Sequence, residues 1–183
     1  MTYKILSGVL LAIIVVGSFF LFFGVDETPN NTMPVTTFEE CVAAGNAVME
    51  SYPRQCVSQD GEHFVEHIGN VLEKTDLIRL DSPRPNDTVE SPLSITGEAR
   101  GYWFFEASFP VVLTNWDGLI IAEGFATAQD EWMTTEFVPF EATLTFTVDP
   151  EVYSNRGTLI LQKDNPSGLP ENDDALEIPV ILK

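Results

Sequence analysis

Apolar residues are arranged in three different ways along the chain, and each arrangement predicts a different element. Ile5 to Val25, "ILSGVLLAIIVVGSFFLFFGV", is an uncharged run of 21 residues. As a helix it would extend about 31 Å, the thickness of a bilayer core. In "TFEECVAAGNAVMESYPRQC", by contrast, Phe38, Cys41, Val42, Gly45, Val48 and Met49 fall on one helical stripe. Thr37 and Glu40 have the spacing of a capping box, and Pro53 is expected to end that helix. From Leu77 onward the period drops to two. In "FEATLTFTV", Phe140, Ala142, Leu144, Phe146 and Val148 face one way, while Glu141, Thr143, Thr145 and Thr147 face the other. Leu176, Ile178, Val180 and Leu182 repeat the alternation at the C-terminal end.

Strand-length runs separated by turn signals are Leu77–Leu80, Leu93–Ala99, Phe109–Trp116, Leu119–Phe125, Phe137–Val148, Thr158–Gln162 and Leu176–Leu182. Asp117-Gly118, flanked by two of them, is a hairpin turn signal. Short strands in this number, with no helical period among them, predict an all-β fold, an immunoglobulin-like antiparallel β-sandwich over residues 77–183. Ahead of it, "QCVSQDGEHFVEH" reads as a hairpin around Asp60-Gly61, so 37–70 is expected to be a small α+β module of helix plus hairpin. Residues 1–25 form the expected cytoplasmic tail and transmembrane anchor, and the proline-bearing 26–36 a linker.

Charge and cysteine content place this layout. Lys4 is the sole basic residue before the apolar run, and Asp26 and Glu27 follow it, so the short tail is expected to stay in the cytoplasm. The run ends in Phe22-Phe23-Gly24-Val25-Asp26, a poor cleavage site, which favours an uncleaved anchor. Everything after it is then extracytoplasmic, on a single-pass protein of the cytoplasmic membrane. The net charge is −19, with all 28 acidic residues beyond the anchor. Such a surface repels nucleic acid and anionic lipid and favours calcium or a cationic ligand. Cys41 and Cys56 are the two cysteines, and outside the membrane a pair predicts a disulfide. Closing a loop of that length stabilises by about 3 kcal/mol on the chain-entropy model. A module this small needs such a staple, because its own core is thin.

Candidate chemistry is sparse. His63 and His67 are four apart but sit in a strand-like stretch, where chelation of zinc is awkward, and they read as exposed polar residues. No serine-nucleophile pattern is present. Glu106, Asp117, Glu123 and Asp130 supply carboxylates for a glycan hydrolase, but carboxylates are too common here for any pair to carry information. Arg54, beside Cys56, fits an inhibitor loop no better than an ordinary surface arginine. The chain is therefore expected not to be an enzyme.

Loops carry more. Between two apolar strands, "QKDNPSGLPENDDALEIPV" is far longer than a turn requires. It does not fit the EF-hand pattern, yet Asp164, Asn172, Asp173 and Asp174 offer oxygen ligands for an irregular calcium site. The same residues also build turns with no metal. Strand parity assigns the ends of the sandwich. If the Asp117-Gly118 turn is at the bottom, the connections "ARGYWF", "ATAQDEWMTT" and the acidic loop all lie at the top. Tyr102, Trp103, Trp132, Asp164, Asn165, Glu171 and Asn172 are then one candidate binding end, where immunoglobulin variable domains keep their binding loops. Trp132 suits either a binding surface or a lid over the core. Parity also starts the first strand at the top, so the disulfide module is a competing occupant of that end.

"DSPRPNDTVESPLSITGEARGYWFFEASFPVVLTNWDG", "EWMTTEFVPFEATLTF" and "GTLILQKDNPSGLPENDDALEIPV" together resemble the immunoglobulin-like domain of bacterial spore germination, over about residues 79–182. The resemblance implies a bacterial, extracytoplasmic, non-catalytic domain, often membrane-tethered, that binds a partner. It implies no particular ligand, and a disulfide module rather than a germination-type region precedes the domain here. The expectation is thus a membrane-anchored binding or scaffolding protein of the cell envelope, its partner an envelope protein or cell-wall ligand, with no nucleic acid and no cofactor unless calcium. The alternatives are an envelope hydrolase using carboxylates and a calcium-stabilised spacer.

Overall fold

The computed structural model describes residues 35–183. The apolar run 5–25 lies outside the described residues, and among those described no helix is long and apolar enough to cross a membrane. Thr36–Lys183 forms one compact unit, so the disulfide module and the sandwich belong to the same body.

The module opens with α1, Phe38–Ala43, capped by Thr37, whose side chain accepts from the Glu40 N–H. Glu40 reaches back to the N–H and hydroxyl of Thr36, one residue earlier than a capping box would place it. The helix is half the predicted length. Gly45 takes φ +76°, the Gly45 N–H bonds to Val42 O, and the Asn46 N–H bonds to Cys41 O. This is a Schellman ending, which closes the helix before the stripe can continue. Ala47–Met49 instead forms strand β1, which pairs with β2 (Gln55–Val57), itself paired with β3 (His63–Val65) around the predicted Asp60-Gly61 turn. Val48 and Met49 therefore fall on opposite faces of a strand. The expected disulfide is present: Cys41 and Cys56 are joined and fully buried, their Cα atoms 6.1 Å apart, pinning helix to sheet.

The eight strands of the sandwich are β4 (Ile78–Ser82), β5 (Thr88–Val89), β6 (Leu93–Arg100), β7 (Ser108–Asn115), β8 (Ile120–Ala128), β9 (Phe137–Leu144), β10 (Arg156–Gln162) and β11 (Ala175–Leu182). They run in the order β4-β6-β9-β8-β7-β10-β11-β5. All pair antiparallel except β5, which lies parallel to the end of β11. The predicted runs match these strands apart from the two-residue β5, too short to show a period.

The sheet curls at one seam. β9 pairs with β8 only at Thr127↔Glu141 and Ala128↔Phe140, so β4-β6-β9 folds over β7-β10-β11. One core fills the space between, with Trp103, Phe109, Phe140, Ile95, Leu159 and Ile178 among its members. Phe104, Phe109 and Phe140 meet edge-to-face with centroids about 5 Å apart, the arrangement aromatic quadrupoles favour. Strand alternation is kept through the tail of β9, where Phe146 is buried and its N–H is held by the Ser91 hydroxyl.

The module does not sit on the top loops. It lies against the β10–β11 side: Glu39 pairs with Arg156 near the bottom of β10. Arg54 grips Glu66 through two guanidinium hydrogen bonds, and Asn86 donates to both Glu66 and the His67 carbonyl. Glu66 is only 7% exposed, and the Arg54 hydrogen bonds hold its carboxyl below the ordinary glutamate range. Arg54 is thus a structural residue that also lies over the Phe38 ring. His63 and His67 are exposed.

Candidate functional site

The chain beyond Glu66 climbs the outer edge of β11. Gly69 has φ +71°, and a Cβ there would stand 1.9 Å from the Glu177 carbonyl oxygen, so no other residue fits this approach. Asn70 follows at the head of α2 (Val71–Lys74), but its side chain does not cap the helix. The amide donates to Ala175 O, accepts from the Glu177 N–H, and the Asn70 N–H donates to Glu177 O. Asn70 thereby satisfies this stretch of an edge strand, and further along it the Asn86 N–H donates to Pro179 O and Asp87 O accepts from the Ile181 N–H. Lys74 then pairs with Asp174.

This brings α2 to the acidic loop. Asn70, Glu73, Lys74, Lys163, Asp173 and Glu177 line a polar cleft of about 540 Å³ between α2 and that loop. Sequence reading overlooked Asn70, Lys74 and Lys163; the one local signal was a lysine standing directly before the loop.

The loop itself is folded by its own side chains. The Asn165 amide donates to Leu169 O and to Asp173 Oδ1, Ser167 donates to Asn165 Oδ1, and the Asn172 amide donates to Ser167 Oγ. Pro170–Asn172 makes a single 3₁₀ turn. The oxygens proposed for calcium are thus separately engaged: Asp173 with Asn165, Asp174 with Lys74 and the Ala175 N–H. Among the described residues no group of three or more His, Cys, Asp or Glu side chains converges as a metal site. Of the set Asp164, Asn172, Asp173 and Asp174, a turn-making bond and an ion pair hold the carboxylates of Asp173 and Asp174 to different partners.

Hydrogen bonds to backbone carbonyls, two from backbone N–H groups and one from the Arg100 guanidinium, tie the three top loops together. The Gly101 N–H donates to Glu136 O, Arg100 donates to Thr135 O, and the Asp164 N–H donates to Trp103 O. Around this junction Tyr102 is half-exposed and Met133 protrudes. Together with Gly101, Trp132, Thr134 and Thr135 they shape a wide, shallow groove of about 480 Å³. Glu171 and Asn172 are exposed on the neighbouring loop, whereas Asp164 and Asn165 are half-buried. Trp103 departs from its assignment. It is 0% exposed, a core residue whose backbone alone faces the loops. In "YWFF" alternation sends some aromatics inward, and the short 3₁₀ turn Gly101–Trp103 turns Trp103 and Phe104 to the core while Tyr102 and Phe105 stay out. Trp132 is half-buried against the core, as a lid.

Two facing antiparallel layers over one core, with three loops bound together at one end, define an immunoglobulin-like module carrying an N-terminal disulfide subunit. The chain belongs to the family of the immunoglobulin-like domain of bacterial spore germination, which matches residues 77–168. Neither the curated proteins nor the solved structures compared with it contain a match.

Proposed function

We propose that the chain is a non-catalytic binding or scaffolding protein of the bacterial cell envelope, tethered through 5–25 with Thr36–Lys183 outside the membrane. The top loops are its binding end. The observation that carries the reading is the tying of three separate loops by the Gly101–Glu136 and Asp164–Trp103 backbone bonds. A preorganised surface loses little entropy on binding, and here it presents Tyr102, Met133 and the exposed carboxylates of Glu131 and Glu171. Aromatic and methionine side chains are the usual anchors of such surfaces.

Full-length protein in nanodiscs, mixed with solubilised envelope proteins and with cell-wall fragments, tests this. A reversible complex that Tyr102→Ala and Met133→Glu both weaken is expected, with the wall fragments unchanged. Turnover of those fragments would overturn the non-catalytic reading, and protection of the C-terminal region from protease added to intact cells would overturn the topology.

A further inference from the structure

The bottom of the sandwich, opposite the three tied loops, has marks of recognition of its own. The Asp117-Gly118 turn needs only those two residues, yet Trp116 and Leu119 on either side of it are 47% and 63% exposed. Leu119, Ile120 and Ile121 are consecutive, so alternation cannot turn all three to the core. From the β9–β10 connection Tyr153 reaches the Trp116 ring, with centroids 5.4 Å apart, while staying 89% exposed. Contiguous apolar groups kept in water are the usual mark of an interaction site.

Beside this pair is a pocket. Leu119, Ile121, Val148, Val152 and Leu182 supply its apolar lining, between the start of β8, the tail of β9 and the end of β11. Its volume is about 240 Å³, below the range of about 300–1,000 Å³ typical of small-molecule sites and suited to one bulky side chain. The walls are fixed before anything binds. The Leu119 N–H donates to Asn115 Oδ1 and the Gly118 N–H to Asn115 O. On the other wall the Glu151 N–H donates to Asp149 Oδ1 and the Leu182 N–H to Asn155 O. A rigid pocket rimmed by Trp and Tyr is the form that binding hot spots take.

Charge identifies the occupant. Residues 101–155 contain no Lys, Arg or His, and Asp117, Asp149 and Glu151 around the pocket make no ion pair among the described residues. Arg156 and Lys183, the cations at this end, are held by Glu39 and Glu90. A bilayer is disfavoured, because Asp117 stands at the hairpin tip and Trp116 could not enter lipid without carrying it toward anionic headgroups. A second copy would set the same carboxylates against each other, with no free cation to offset them. We propose that the pocket receives one bulky apolar side chain from a partner protein, with Lys or Arg on either side of it facing Asp117, Asp149 and Glu151.

A display library of random short peptides, selected against the full-length chain in nanodiscs, is the probe. Among the enriched peptides a class that slows hydrogen exchange within 115–121 and 148–155 is expected, each carrying one bulky apolar residue flanked by Lys or Arg. Tyr153→Ala, at a side chain almost wholly in water, should weaken this class by about tenfold, with the melting temperature unchanged. Selection against the double variant Asp117→Lys, Glu151→Lys should lose the basic flanks. Tyr102→Ala, at the other end, leaves the class bound whether or not the top loops bind anything. No such class, members without basic flanks, or affinity kept in Tyr153→Ala would each overturn the proposal. So would self-association that Tyr153→Ala abolishes, which makes the occupant a second copy. Quenching of tryptophan fluorescence by brominated lipid in the nanodisc, removed by Trp116→Phe, would make it the bilayer and overturn the proposal equally.

Discussion

β11 and β8 lie in the same layer of the sandwich, with β7 and β10 between them, and the sides they turn away from those two strands are closed in different ways. Beside β11 the chain lays down its own cover: Gly69 passes against Glu177, Asn70 supplies the missing hydrogen bonds, and Lys74 closes on Asp174. Beside β8 the end of β9 and its tail run on without ladder hydrogen bonds, Leu144 close against Gly124 and Thr147 and Val148 beside Ile121, and the exposed side chains are Ile120, Glu123 and Phe125. The basic residues divide the same way. Arg54, Lys74, Arg79, Arg100, Arg156 and Lys183 all pair with carboxylates, whereas the span that builds β7, β8 and β9 has no cation. One side is closed by hydrogen bonds and an ion pair, the other by side-chain packing alone amid carboxylates with few cations.

That contrast breaks most readily at the staple. Reducing Cys41–Cys56, or replacing both with serine, should lower the module's stability by about 3 kcal/mol. The cover over β11 depends on the module, so exchange at Ala175–Glu177 should rise toward the rate at Ile120–Ala126. If the two edges still differ after reduction, the cover holds without the disulfide. Gly69→Ala acts more locally. A Cβ in contact with the Glu177 carbonyl, on a left-handed backbone, should cost about 2 kcal/mol, visible as a lower melting point and a faster-exchanging Glu177 amide. An unchanged melting point would show that the 69–70 crossing is not tight.

Acid offers a subtler separation. The folded-state pKa of Glu66 is depressed by Arg54, so its contribution is complete above the unfolded glutamate value, about 4.3, and is lost as pH falls through the folded value. Protection factors, exchange rates referred to the intrinsic rate at each pH, should therefore fall in the module and along β11 in acid below that range, while those of β8 stay as they were. Glu66→Gln should cost about 1.5 kcal/mol at neutral pH and remove the part of the acid dependence that Glu66 carries. Smallest of all is a change on the β8 side. Phe125→Thr touches no cover and should shift stability by no more than about 0.5 kcal/mol; a larger loss in calorimetry would mean that Phe125 is packed against the protein after all.

Much of this was legible in advance wherever a local rule acts alone. Alternation over Phe140–Phe146 and Leu176–Leu182 located strands and their inner faces, because one buried face imposes a period of two on any half-buried strand. Cys41 and Cys56, the Asp60-Gly61 and Asp117-Gly118 turns, and the parity that gathers Tyr102, Trp132 and the acidic loop at one end followed likewise from spacing and strand count. Where two local signals competed, the tertiary structure decided. The stripe from Phe38 to Met49 was overruled at Gly45, since a left-handed residue with two closing hydrogen bonds stops a helix whatever the side chains beyond it. Trp103 went to the core and Tyr102 to solvent through the local turn of the chain, which periodicity does not encode. Asn70 as a surrogate strand and Lys74 as the partner of Asp174 have no sequence signature, because each depends on segments 100 or more residues apart being brought side by side.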